Sequence, residues 1–307
     1  MTGAALRSPA PDCERARRQR ENLGMLLGIG GVAAFSLTLP ITRFVVAEMS
    51  PLLVGLGRAV LAGLAAVLIL MLTGTRAPPR RLWARLALAS AGVVLGFPIL
   101  TAWAMQHVPA AHGGVVLGVL PLATALAAAV LAGERPSRGF WIAGIAGSAL
   151  VVGFALLRGA GGLHLGDLAL VGAVLAAAVG YAEGGRLSRS LPAWQVICWA
   201  LVLALPITVP PVVWHLARGI GEFSMLSWAG FAYLALVSQL AAFLLWYRGL
   251  ALGGIARVSQ AQLLQPFLTL GAAALLLNER IDVTTIVFAA AVVLTVAIGR
   301  RMPVARA

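Results

Sequence analysis

The chain of 307 residues is 61% hydrophobic and only 11% charged, with a mean hydropathy of +0.95. This excludes an ordinary soluble domain, and apolar runs of about 20 residues imply a polytopic membrane protein with little chain left for anything else. The formal charge of +13 is not a nucleic-acid footprint, because every basic residue is Arg and most lie between the apolar runs; the lipid bilayer is the expected partner and nucleic acid is not.

Residues 1–21 are polar and Arg-rich and are expected to form a disordered cytoplasmic tail. The first span, from about Leu23 to Phe44, is too long for a removable signal peptide and lacks a small-residue cleavage site. Pro40 should kink it and free a carbonyl for a cavity or a neighbouring helix. The second span, from about Leu52 to Leu72, carries Arg58 about two turns from its outer end, where snorkelling to the interface is favoured over a substrate contact. The third, from about Leu86 to Met105, ends in Thr101, Trp103, Gln106 and His107, and an aromatic belt alone accounts for a Trp there. Gly92-x-x-x-Gly96 and Gly114-x-x-x-Gly118 suit close helix packing.

The fourth and ninth spans share one frame 145 residues apart: Pro121 matches Pro266, Thr124 matches Thr269, Glu134 matches Glu279 and Arg135 matches Arg280. In the ninth, Ser259, Gln262, Gln265, Pro266 and Thr269 occupy about one third of a helix circumference, a polar stripe within a membrane span. Both prolines lie about 12 Å into their helices, near mid-bilayer, and should free the carbonyls of Leu117 and Gln262. The fifth span covers about Phe140 to Leu157, the sixth about Leu168 to Glu183 with Tyr181, and the seventh about Trp194 to Trp214. In the eighth, from about Trp228 to Trp246, Gln239 and Trp246 stand about 20° apart on one face. The tenth covers about Val283 to Gly299, and no disulfide is expected between Cys13 and Cys198.

With the N-terminus in the cytoplasm, only Arg43, Arg158, Arg218 and Arg280 fall in outer segments, so both termini are expected inside. Each half holds five spans, and an odd number forces the second half to enter the membrane from the opposite side. The expected fold is all-α: ten transmembrane helices in two inverted five-helix repeats, residues 22–158 and 165–300, with substrate held between them near the midplane.

No enzyme constellation is present: there is no H-E-x-x-H and no nucleotide loop, and no catalytic residue, cofactor or metal is expected. The histidines, His107, His112, His164 and His215, read as separate surface residues. Glu48, Glu134, Asp167, Glu183, Glu222, Glu279 and Asp282 all map to span ends or loops, so no ionisable group is expected near the midplane. That argues for a neutral or zwitterionic solute held by amides, hydroxyls, backbone and aromatic rings.

The frame of Pro followed thirteen residues later by Glu, at Pro121 to Glu134 and Pro266 to Glu279, resembles the repeat signature of the drug/metabolite transporter superfamily, EamA type. Within it the chain is similar to aromatic amino acid exporters, on Trp103, Tyr181, Trp246 and the glutamine stripe. The resemblance implies export of metabolites from the cytoplasm through a cavity lined by the first, third, fourth, sixth, eighth and ninth spans; the chain itself is expected in the inner membrane, as a monomer. It points to Pro40, Trp103, Pro121, Tyr181, Gln239, Trp246, Ser259, Gln262, Gln265 and Pro266 as substrate-binding residues, with Glu134 and Glu279 left to helix-end structure. The competing expectations are a drug or organic-cation exporter, a membrane-embedded lipid-modifying enzyme, and a scaffold without transport.

Overall fold

The computed structural model describes residues 11–108, 113, 116–157, 165–219, 221–269, 271 and 283–306. Gly114, His112, Arg158, His164, Glu279, Arg280 and Asp282 lie outside the described residues. Among the described residues six helices are long and apolar enough to cross a membrane: Arg18–Val45, Leu53–Leu72, Arg80–His107, Leu165–Leu187, Ala193–Ala217 and Met225–Gly253. Three shorter apolar helices, Leu120–Ala132, Arg138–Phe154 and Val283–Gly299, stand where the fourth, fifth and tenth spans were expected. The ninth begins with Ile255–Ser259 and runs into residues that are only partly described.

The helix at the N-terminus starts at Pro11, so residues 11–21 are helical where the sequence reading expects disorder. The cause is tertiary: Glu21 pairs with Arg257 at 2.7 Å and Asn22 accepts from Arg300 at 2.8 Å, tying this turn to the second half of the chain. A short antiparallel ladder, Glu134–Pro136 with Val304–Arg306, closes the same end of the bundle, called here the terminal end.

The two halves pack through each other. The first span lies on the eighth as the third lies on the sixth, and the second touches the eighth as the third touches the seventh. Exchanging the two halves of the chain therefore reproduces these contacts, as two copies of one repeat require. Apolar burial provides no drive between helices in lipid, so close approach must come from small side chains. Gly92 and Gly96 serve that end: a Cβ on Gly92 would sit 2.8 Å from the Gly180 Cα, and one on Gly96 2.8 Å from the Ala176 Cβ. The large apolar side chains left outside, among them Leu68, Met71, Leu72 and Ile142, form the face that lipid covers.

Candidate functional site

Three spans are wound wider than an α-helix over part of their length, as π-helix: Leu53–Gly57, Ala91–Gly96 and Tyr233–Ala241. Such segments leave backbone groups free of their usual partners and recur at functional sites. Here they converge on one cavity, bordered by Arg58 from the second span, Val93 from the third and Ser238 and Gln239 from the eighth. Gln239 is 1% exposed and donates its Nε2 to the Val93 carbonyl at 2.9 Å, joining two of the widened segments.

The first span supplies a second irregular wall. It breaks after Phe35 and resumes as Thr38–Val45. Pro40 lacks the N–H that would bond the Ser36 carbonyl, and that carbonyl instead accepts from the Thr269 hydroxyl at 2.5 Å. Its neighbours are provided for in the same way. The Ala33 carbonyl accepts from Ser36 Oγ at 2.7 Å, Ala34 from the Tyr233 hydroxyl at 2.7 Å and Phe35 from Gln265 Nε2 at 3.4 Å. Four successive carbonyls thus receive four side-chain donors, and two of those donors belong to the polar stripe of the ninth span. Part of that stripe therefore serves backbone, while Gln265 also borders the cavity.

The matched prolines do not sit inside continuous helices. Leu120–Ala132 begins anew after a turn at Gly118 and Val119, so Pro121 occupies its first turn. In the ninth span, Ile255–Ser259 tightens to a 3-10 turn over Gln260–Leu264, and Pro266 opens the α-helical stretch that follows. Proline is suited to a first turn, where its missing N–H would have no partner anyway. Discontinuous helices of this kind form the sites of many transporters with internal repeats. Ser259, fully buried, donates to the Ala256 carbonyl at 2.8 Å and approaches the Pro121 carbonyl at 3.4 Å, so the two discontinuities meet. Gln262 lies beside the Tyr181 hydroxyl, and its Oε1 has no hydrogen-bond partner among the described residues.

Aromatic rings close the cavity toward the terminal end. Phe35, Tyr181 and Phe243 border it and contact one another at centroid separations of 5.1 to 6.5 Å. Trp246 is fully buried behind them, edge-on to Tyr181 at 5.3 Å, and supports the rings rather than bordering the space. Trp103 stands apart: it is 40% exposed, packed on His107 at 4.2 Å, and takes no part in the wall. Pro40 is half-buried beside the break it causes. The cavity itself measures about 20 Å³, room for about one water molecule. Phe97, Thr38 and Leu39 complete its upper part, with Thr38 hydrogen-bonded to Ser238 at 2.9 Å.

Arg58 corrects the sequence reading twice. It is 2% exposed and faces the cavity rather than the interface, so an ionisable group does stand in the interior. The reason is the π-helical Leu53–Gly57 just before it: one extra residue in a turn rotates all that follows by about 100°. No 3.6-residue projection includes that rotation.

At the terminal end, Glu134 is 1% exposed and fully engaged. Its Oε1 accepts from Arg189 at 2.6 Å and from the Ile255 N–H at 3.0 Å, and its Oε2 from the Ala256 N–H at 2.8 Å. It therefore caps a helix of the other half, with the charge favoured at that helix's positive end. Gly133 and Gly254, at φ of 67° and 92°, make the two turns that bring carboxylate and helix start together.

Two halves that pack as copies of each other, with broken helices meeting over an interior cavity, are a transporter design. The EamA-like transporter family matches the sequence twice, over residues 22–157 and 164–299. The chain belongs to that family. As an EamA-like protein it is a multi-pass membrane transporter of two repeats. It is 45% identical over 284 residues to the uncharacterized transporter YdeK of Bacillus subtilis, covering 91% of this chain and 97% of that one. It is 28% identical over 229 residues to a probable terminal-alkyne amino-acid exporter of Streptantibioticus cattleyicolor, covering 73% and 75%. A solved crystal structure 18% identical in sequence shares the fold with a TM-score of 0.73, over 90% of this chain and 97% of the other.

Beyond Arg58, sequence reasoning passed over Phe35, Phe97, Phe243 and the Thr38–Ser238 pair. Ser238 next to Gln239 in an apolar run was a readable signal, while the phenylalanines carry none that separates them from lipid-facing rings.

Proposed function

We propose that this EamA-like transporter exports small neutral or zwitterionic metabolites, amino acids with aromatic members among them, across the inner membrane. The mechanism is alternating access of two inverted five-helix repeats, ten spans in all, with both termini in the cytoplasm. The observation that carries the reading is the wall of the central cavity, which combines the rings of Phe35, Phe97, Tyr181 and Phe243 with the amides of Gln239 and Gln265. Rings suit an apolar or aromatic side chain, and amides suit a polar backbone end. The relative in Streptantibioticus cattleyicolor, named for amino-acid export, supports the substrate class. The repeated contact pattern of the halves supports the two-repeat mechanism.

An organic cation is the poorer substrate, because Arg58 places a positive charge in the wall with no acidic residue beside it among the described residues. At about 20 Å³ the cavity is contracted, so loading requires the rings on its terminal side to part. Of the ten residues expected to bind substrate, Tyr181, Gln239 and Gln265 border the cavity and are assigned direct contact. Pro40, Pro121, Ser259, Gln262 and Pro266 shape the breaks around it, and Trp246 backs its rings.

The test is uptake of radiolabelled phenylalanine and tryptophan into liposomes holding the purified protein, beside a Gln262→Ala/Gln265→Ala variant and empty vesicles. The parent protein should exceed empty vesicles severalfold and the variant should lose most of that excess. Uptake by the parent no faster than by empty vesicles removes aromatic amino acids from the substrate list.

A further inference from the structure

We infer that Arg58 is the anchor for a carboxylate on the transported molecule, and that this carboxylate, not an amino group, is the charge the site selects. The inference rests on reading the central cavity as the transport site. Arg58 is 2% exposed and its side chain borders that cavity. Its Nε has no hydrogen-bond partner, and no hydrogen bond or ion pair to the guanidinium occurs among the described residues. An isolated buried cation is among the least favourable arrangements a protein interior can hold.

The described acids do not relieve it. Glu134 is committed to Arg189 and to two backbone N–H groups, and Glu183 lies 3.7 Å from Arg186 one turn along its own helix. Among the described residues, the wall of the cavity holds no Asp or Glu. The contracted space, about 20 Å³, has room for about one water beside the guanidinium. What is missing is an anion that arrives from outside the fold.

Guanidinium geometry narrows the kind of anion. Its planar fork matches the two oxygens of a carboxylate, and such bonds are about twice as strong as neutral ones. Phe35, Phe97 and Phe243 share the cavity wall with Arg58 and offer surfaces for an apolar or aromatic remainder. A substrate ammonium finds no partner of opposite charge among the described residues of this wall. The class is therefore a small monocarboxylate with an apolar body, of which aromatic amino acids are one kind and the corresponding 2-oxo acids another.

The experiment uses the full chain purified in detergent and reconstituted in liposomes, as parent, Arg58→Gln and Arg58→Lys. Thermal midpoints are taken in a HEPES buffer free of carboxylates and chloride, with phenylalanine, phenylpyruvate, phenylalanine amide or chloride added, and uptake of the three labelled organic compounds is followed in parallel. Phenylalanine and phenylpyruvate should raise the parent's midpoint and be taken up, and the amide should do neither. In Arg58→Gln both responses to carboxylates should vanish, with uptake down about 10-fold or more, and Arg58→Lys should keep part of them. The unliganded Arg58→Gln protein should be at least as stable as the parent, since it loses a buried unpaired charge; that separates a lost anchor from a lost fold.

Protection by the amide equal to that by phenylalanine overturns the inference, as does an Arg58→Gln protein that still responds to carboxylates. Chloride protecting as well as the carboxylates overturns it too, by giving Arg58 a resident inorganic partner. Phenylpyruvate protecting and moving while phenylalanine does neither keeps the anchor and rejects the amino acid reading. If no carboxylate protects or moves, the anchor is rejected.

Discussion

Arg58 and Glu134 are both buried charges in an apolar bundle, 2% and 1% exposed, and the fold treats them in opposite ways. Glu134 receives three hydrogen bonds, one from Arg189 and two from the start of a helix in the other half, so its charge holds the terminal end together. Arg58 donates none to the described residues, its buried Nε lacking an acceptor, and it faces a space lined by rings and amides. A satisfied buried charge is architecture, whereas an unsatisfied one beside a cavity is a place for a ligand. The same division runs through the uncharged groups. Thr269 is spent on a carbonyl of the broken first span, while the Gln262 Oε1 has no partner among the described residues.

That contrast can be broken by mutation, and the largest stability effect is expected at Glu134. Glu134→Ala leaves two helix-start N–H groups and Arg189 without their anion and should cost about 3 kcal/mol, read as a fall in thermal midpoint. Arg58→Gln should cost nothing in the same measurement; equal losses at the two sites would erase the distinction between them. Thr269→Val comes next, because it strips the Ser36 carbonyl of its donor beside Pro40, and about 1 to 2 kcal/mol is expected. Arg189→Gln should cost about 1 kcal/mol, less than loss of Glu134, since Arg189 is 30% exposed and the carboxylate keeps its two backbone donors.

The smallest effect belongs to a charge outside the membrane. Glu48 accepts from the Ser224 N–H and hydroxyl, both at 2.9 Å, and the backbone bond above all holds its carboxyl below the usual value of 4.5. A depressed folded value means that the stabilisation is fully present above pH 4.5 and fades as the pH falls through the folded value. The midpoint difference between parent and Glu48→Gln should therefore be constant from pH 7 to about pH 5 and shrink below that. A difference that persists unchanged at pH 3 contradicts the assignment.

Much of the architecture was legible because lipid makes sequence signals plain: apolar runs marked the six long spans found among the described residues, and the frame shared by Pro121 and Pro266 marked the repeat. The site was legible in part. Pro40 announced a break and the ninth-span stripe announced polar neighbours, but nothing in the sequence said that Thr269 and Gln265 would meet the carbonyls of that break. Trp103 and Trp246 were read by residue type, and type does not distinguish a ring facing lipid or backing a wall from one facing a cavity. Arg58 was misplaced for a geometric reason, since its helix adds a residue in the turn before it. The tail from Pro11 was misplaced because its order comes from partners more than two hundred residues away, Arg257 and Arg300.

The central claim, one cavity between two repeats that opens to each side in turn, is tested most directly by thiol labelling at its wall. Ser238→Cys would be placed in a Cys13→Ser/Cys198→Ala background and exposed to a membrane-impermeant maleimide in right-side-out and inside-out vesicles, with and without phenylalanine. The account predicts labelling from both faces, slowed at both by substrate. Labelling from one face alone, or from both at rates that phenylalanine leaves unchanged, would contradict it.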